Sequence, residues 1–115
     1  MKIRIKALKR VVHNDLIEKY ENKLENPCMI NIFDEFISID GLKPEGFCDS
    51  AWESIEPFVK RLNNGEDSFF DGWMKNKKSA MISCNDGFRP VSFYIEVIEW
   101  LKYMIMYISK KYVKI

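Results

Sequence analysis

Histidine occurs only once in the chain, at His13, and no Cys-x-x-Cys pair is present. Zinc fingers and ribbons, which need ligands at such short spacings, are thereby excluded. A glycine-rich phosphate loop, a Ser-His-Asp order and a His-x-x-x-His pair are also missing, so the commonest catalytic signatures have no counterpart. No apolar run reaches the ~18 residues of a membrane-spanning helix. The opening residues Met1–Arg10 alternate and lack the apolar stretch of a signal peptide. Three cysteines, an odd number without paired spacing, do not read as a disulfide scaffold. A reduced, cytoplasmic location is therefore expected. Neither sign of charge dominates: 18 Lys and Arg against 17 Asp and Glu leave a net charge of +1. The electrostatic footprint of a nucleic-acid-binding protein is missing, and no nucleic-acid partner is expected.

What the chain does have is enough apolar material for one core. Hydrophobic residues make up 47% of its 115 residues, which fits a single domain. Ile3, Ile5 and Ala7 alternate with Lys2, Arg4 and Lys6, predicting a strand with one buried face and one basic, solvated face. Asn14 is a candidate N-cap for a short helix over 15–23, whose apolar side carries Leu16, Ile17, Tyr20 and Leu24. Pro27 disfavours helix at Asn26 and ends it. The segment DEFISID alternates imperfectly and predicts a second strand, followed by turn residues Gly41, Pro44 and Gly46.

Ser50 and Glu53 match a capping box, and Ala51, Ile55, Phe58, Val59 and Leu62 form an apolar stripe behind it. Pro57 should kink or divide that helix. Asn64 or Gly65 suits a left-handed cap at its end. Phe69, Phe70 and Trp73 fall in a loop that either closes one end of the core or covers a pocket. Two extended runs flank Asn85, Asp86 and Gly87, predicting a hairpin with a loop longer than two residues. Val91, Phe93, Ile95 and Val97 share one face of its second strand. Asp86 and Arg89 straddle the turn, where a local ion pair is expected.

Trp100, Leu101, Met104, Ile105, Ile108 and Tyr112 recur at helical spacing, with lysines at Lys102, Lys110, Lys111 and Lys114. Such an apolar helix needs cover, and a contact between subunits ranks above a membrane surface. The expected architecture is α+β: a small, mostly antiparallel sheet of about four strands, two helices packed on it, and a C-terminal amphipathic helix. Residues 1–99 would form the single domain and 100–115 the tail, through which a homo-oligomer would assemble.

Two segments, PEGFCDSAWESIEPFV and SCNDGFRPVSFYIEVIE, resemble an uncharacterised family of short prokaryotic proteins, some of which carry the unit as a repeat. The shared motifs are GFCDxAWxxIxPFV and CxDGxRPVxFxIE. NPCMINIFDEFISIDG is similar to the family's first half. The resemblance spans about Met1 to Glu99. It differs at Ser83, where members often have a second cysteine beside the equivalent of Cys84, and in the added residues 100–115. The resemblance implies no reaction or substrate.

Cys28 precedes a predicted strand, Cys48 a predicted helix, and Cys84 a turn. Element ends of this kind can gather at one end of a small domain. Three thiolates with His13, an aspartate or water would complete a tetrahedral zinc site. Three buried, inert thiols are the commoner arrangement, since free cysteine is among the most buried residue types. A single reactive thiol is the remaining alternative, and Cys48 suits it best because a helix N-terminus favours thiolate. Asp49 opposes this, and His13 has no visible partner as a general base. The expected function is a small binding or interaction domain without assignable catalysis. Its candidate ligand-binding residues are Cys48, Asp49, Trp52, Trp73, Asp86 and Arg89, under the aromatic loop. The alternative is a zinc-binding or thiol-redox protein using Cys28, Cys48 and Cys84.

Overall fold

In a computed structural model, residues 1–23 and 30–98 are described. Cys28 and the helix expected over 100–115 lie outside them. Within them the chain forms strand β1 (Lys2–Arg10), helix α1 (Asn14–Tyr20), strand β2 (Glu35–Ile39), helix α2 (Asp49–Asn63), the short turn α3 (Phe69–Gly72), and strands β3 (Ser79–Ser83) and β4 (Val91–Val97). The four strands make one antiparallel sheet in the order β2-β1-β4-β3. The α+β expectation holds.

The period-two patterns set the buried face. Ile3, Ile5 and Ala7 of β1 and Val91, Phe93 and Ile95 of β4 are fully buried, with Ile5 opposite Ile95 and Ala7 opposite Phe93. Their neighbours Arg4 and Glu96 stand on the opposite face, where the Arg4 Nε donates to Glu96 Oε1 at 3.0 Å. That hydrogen bond raises the Arg4 guanidinium above its ordinary value, against a smaller opposing effect of desolvation and with help from the charges of Glu96, Glu35 and Tyr94. Lys6 pairs with Glu35 across β1 and β2 at 3.2 Å. The basic face read from the sequence is therefore a laced, half-buried surface.

β2 departs from the simple pattern. Phe36 and Ser38 turn inward, while Ile37 and Ile39 are exposed. Ser38 is tolerated in the core because its hydroxyl donates to the Leu42 carbonyl at 2.6 Å. Phe47, just before α2, fills the space between helix and sheet. Its ring lies 4.9 Å from Phe36, 5.5 Å from Phe93 and 6.2 Å from Trp52, centroid to centroid.

α2 covers the inner face with Ala51, Trp52, Ile55, Val59 and Leu62. Burying each of the larger ones contributes roughly 1.5–3 kcal/mol before entropy is counted. The helix runs unbroken through Pro57, so of the kink or division expected there the division does not occur. Pro57 and Glu53, whose carbonyl loses its helical partner, both lie on the exposed side, where water can replace the missing bond. The helix ends in a Schellman motif: Gly65 N–H donates to the Leu62 carbonyl at 3.0 Å and Glu66 N–H to the Arg61 carbonyl at 3.0 Å. Gly65 has φ +89°, so it takes the left-handed position in preference to Asn64. α1 buries no residue, and its N-cap is His13 with no side-chain hydrogen bond, not the expected Asn14.

Candidate functional site

A tight turn delivers the first wall of the site. Gly46, at φ +78°, lets the chain fold back so that Phe47 N–H reaches the Pro44 carbonyl at 3.2 Å. Phe47 then enters the core, and Cys48 becomes the N-cap of α2. The Cys48 carbonyl accepts the Trp52 N–H at 2.9 Å, and its side chain makes no cap hydrogen bond. The expected capping box is not used: the helix begins one residue before Ser50, whose hydroxyl instead donates to Asn85 Oδ1 at 2.8 Å.

The loop between β3 and β4 is the second wall. Cys84 N–H donates to the Val91 carbonyl at 3.0 Å, and Val91 N–H donates to the Cys84 sulfur at 3.3 Å. Asp86 Oδ1 accepts the N–H groups of Phe88 at 2.8 Å and Arg89 at 3.1 Å, which closes the turn. Between the walls lies a partly open pocket of about 70 Å³. Cys48, Ser50, Cys84, Asn85 and Asp86 supply its sulfur and polar lining, and Ile30, Ala51 and Val91 its apolar lining. Two cysteines 36 residues apart in sequence thus face one cavity. Both sulfurs belong to half-buried residues without a disulfide. At roughly 10–15 Å³ for each water position, the pocket holds an ion with a few waters, or the tip of one side chain. It is too small for a drug-sized molecule.

The remaining candidate residues are placed elsewhere. Asp49 carries its carboxylate into solvent and pairs with Lys43. Trp52 is buried beside Phe47, and its indole N–H donates to Glu56 Oε2 at 2.7 Å. Arg89 does not form the expected pair with Asp86. Its guanidinium forks onto Glu21, at 3.0 Å and 2.8 Å, and so ties the end of α1 to the β3–β4 turn. This bidentate hydrogen bond raises the Arg89 guanidinium above its ordinary value. Desolvation opposes it, and the charges of Glu21 and Asp86 assist. A raised arginine stays charged at every ordinary pH, so the guanidinium's half of this tie is lost only when pH climbs past the normal arginine range.

Trp73 is 83% exposed and does not line the pocket. The aromatic loop packs against the far half of α2, where the Phe69 and Phe58 rings meet at 5.9 Å. Phe58 lies ten residues beyond Cys48, or ~15 Å along the helix at 1.5 Å per residue. The loop therefore closes the opposite end of the core and does not roof the thiols. Ser50 and Asn85 are the pocket residues that sequence reasoning missed. Ser50 was readable only as a cap, and nothing local marks a hydroxyl that will bridge to a loop 35 residues away.

Among the described residues, no three His, Cys, Asp or Glu side chains gather in a metal-holding arrangement. No described helix is long and apolar enough to cross a membrane. No family model matches the chain, and no curated protein or solved structure matches it.

Proposed function

We propose that this chain is a small binding domain without catalysis of its own, which holds its ligand in the pocket between the start of α2 and the β3–β4 turn. One observation carries the reading: Cys48 and Cys84 face a single small cavity together with Ser50, Asn85 and Asp86. Three of the polar candidates are engaged in holding the fold. Arg89 is clamped by Glu21, Asp86 closes its own turn, and the Trp52 indole is bonded to Glu56. Each motif of the family resemblance begins beside this pocket and places a cysteine on it, Cys48 or Cys84, and membership of that family is part of the proposal.

The lining also supports a choice of ligand. Paired sulfurs suit a soft cation, and zinc is the commonest such ion at thiolates. Two thiolates do not complete a tetrahedral site. Cys28, two residues before the pocket residue Ile30 in sequence, or solvent would supply the rest. A homodimer formed through residues 100–115 and a cytoplasmic location complete the proposal.

Native mass spectrometry of protein purified under reducing conditions, without a metal column, tests it. One zinc per chain, lost in both Cys48→Ser and Cys84→Ser, is the expected result. A metal-free chain in which one cysteine alkylates far faster than the others would overturn the zinc reading in favour of thiol chemistry. A metal-free chain with uniformly slow thiols would make the cysteines core residues and overturn the pocket as a site.

A further inference from the structure

Away from the pocket, the loop that leads from α2 to β3 presents aromatic and basic side chains in an unusual backbone. Ser68, Phe70 and Asp71 all have positive φ, at 57°, 57° and 55°, although none is glycine. A bulky residue such as phenylalanine rarely occupies that region, and clustered outliers of this kind concentrate at functional sites. The base of the loop is pinned. Ser68 N–H donates to the Lys77 carbonyl at 2.9 Å, Asn76 Oδ1 accepts the Lys78 N–H at 3.0 Å, and Asp67 pairs with Lys78 at 3.6 Å. Phe69 is buried against Phe58, with the Arg61 guanidinium 4.5 Å above its ring. The strain is thus held by a fixed frame, and the tip projects Trp73.

Tryptophan is among the residue types most covered in folded proteins, yet Trp73 is 83% exposed and Phe70 beside it is 36% exposed. Lys75 and Lys77 are exposed and have no ion-pair partner among the described residues. Asp71 is the only carboxylate from Phe69 to Lys78. With Trp73 exposed beside two exposed lysines, the tip suits a partner that yields around the indole and offers negative charge. Indole and lysine are also the side chains that settle at the boundary between lipid headgroups and acyl chains.

We propose that the Phe70–Lys77 loop docks the protein peripherally on an anionic lipid surface, with the Trp73 indole seated at the headgroup level and Lys75 and Lys77 facing lipid phosphates. This surface is independent of the thiol pocket.

Co-sedimentation of the full chain with phosphatidylcholine vesicles, with and without phosphatidylglycerol, tests it. Binding to the anionic vesicles only is expected. Each lysine near such a surface contributes about fivefold, so Lys75→Gln with Lys77→Gln should weaken binding roughly thirtyfold. Trp73→Ala should weaken it about tenfold through lost apolar burial. Both variants change exposed positions, and an unchanged circular dichroism spectrum establishes that they fold. Binding that ignores both changes, or no binding to anionic vesicles, overturns the proposal. So does Trp73-dependent binding of a single-stranded oligonucleotide in the absence of vesicle binding, which would assign the same aromatic and basic groups to base stacking.

Discussion

Replacing Cys48 by serine gives opposite results according to what the thiol does. Cys48 stands at the N-cap of α2 with extended backbone angles, φ −60° and ψ 124°, and its side chain satisfies none of the helix's free N–H groups. Serine is among the best N-caps, and supplying a cap is worth about 1 kcal/mol. Against this, the half-buried sulfur packs at the edge of the core. Losing a contact of roughly 20–30 Å² costs about 0.5–0.8 kcal/mol at 25 cal/mol per Å². With a chelator present, Cys48→Ser should therefore match the parent or exceed it by a few tenths of a kcal/mol. With zinc in excess, the parent alone gains binding free energy, about 4 kcal/mol when free zinc is ~1,000 times the dissociation constant. The order of stability then reverses. Urea unfolding followed by circular dichroism, with zinc and with chelator, reads both states, and an unchanged slope would establish that stability alone has moved. A chelated variant more than about 1 kcal/mol less stable than the parent would refute the capping argument. A parent indifferent to zinc would refute the proposed ligand.

Three further outcomes follow from the fold. Gly65→Ala should cost about 1–2 kcal/mol in urea unfolding, because the left-handed Schellman position penalises a side chain; a Cβ there meets nothing within 4 Å, so no clash contributes. Ile55→Ala should cost about 2–5 kcal/mol by the same assay, since Ile55 is fully buried between α2 and the sheet, and a cost under 1 kcal/mol would contradict that packing. Glu21→Gln should leave global stability nearly unchanged but speed amide hydrogen exchange in α1, which buries no residue and relies on the Arg89 fork to hold its end; unaltered exchange would show that something else fixes α1.

β1 and the inner face of β4 were legible because their buried residues alternate without interruption. Ile3, Ile5 and Ala7 lie opposite Val97, Ile95 and Phe93 in the sheet, as their period of two requires. The stripe on α2 and the end at Gly65 were legible for the same local reason. What was hidden depended on partners distant in the chain. Ser38 reads as a solvent residue, yet it is buried because the Leu42 carbonyl meets it. Ser50 reads as a cap but bonds Asn85. Arg89 reads as the partner of Asp86, three residues away, but a fork onto Glu21 uses the guanidinium's planar geometry better than a single contact would. Pro57 reads as a break, and the exposed side of the helix absorbs it. Cys28, Cys48 and Cys84 are expected to gather because each stands at an element end; Cys48 and Cys84 line one pocket, and Cys28 lies outside the described residues. Trp73 reads as part of the same site because its loop is aromatic, but ~15 Å of intervening helix separates the two ends of the core.

The most direct test of the central claim, that the thiol pocket is where this domain binds, is the mass of the intact chain under native conditions, with Cys48→Ser and Cys84→Ser beside it. The account predicts a bound zinc, one per chain, that disappears in either variant. A bare chain of unchanged mass in all three, with thiols that alkylate slowly and alike, would contradict it.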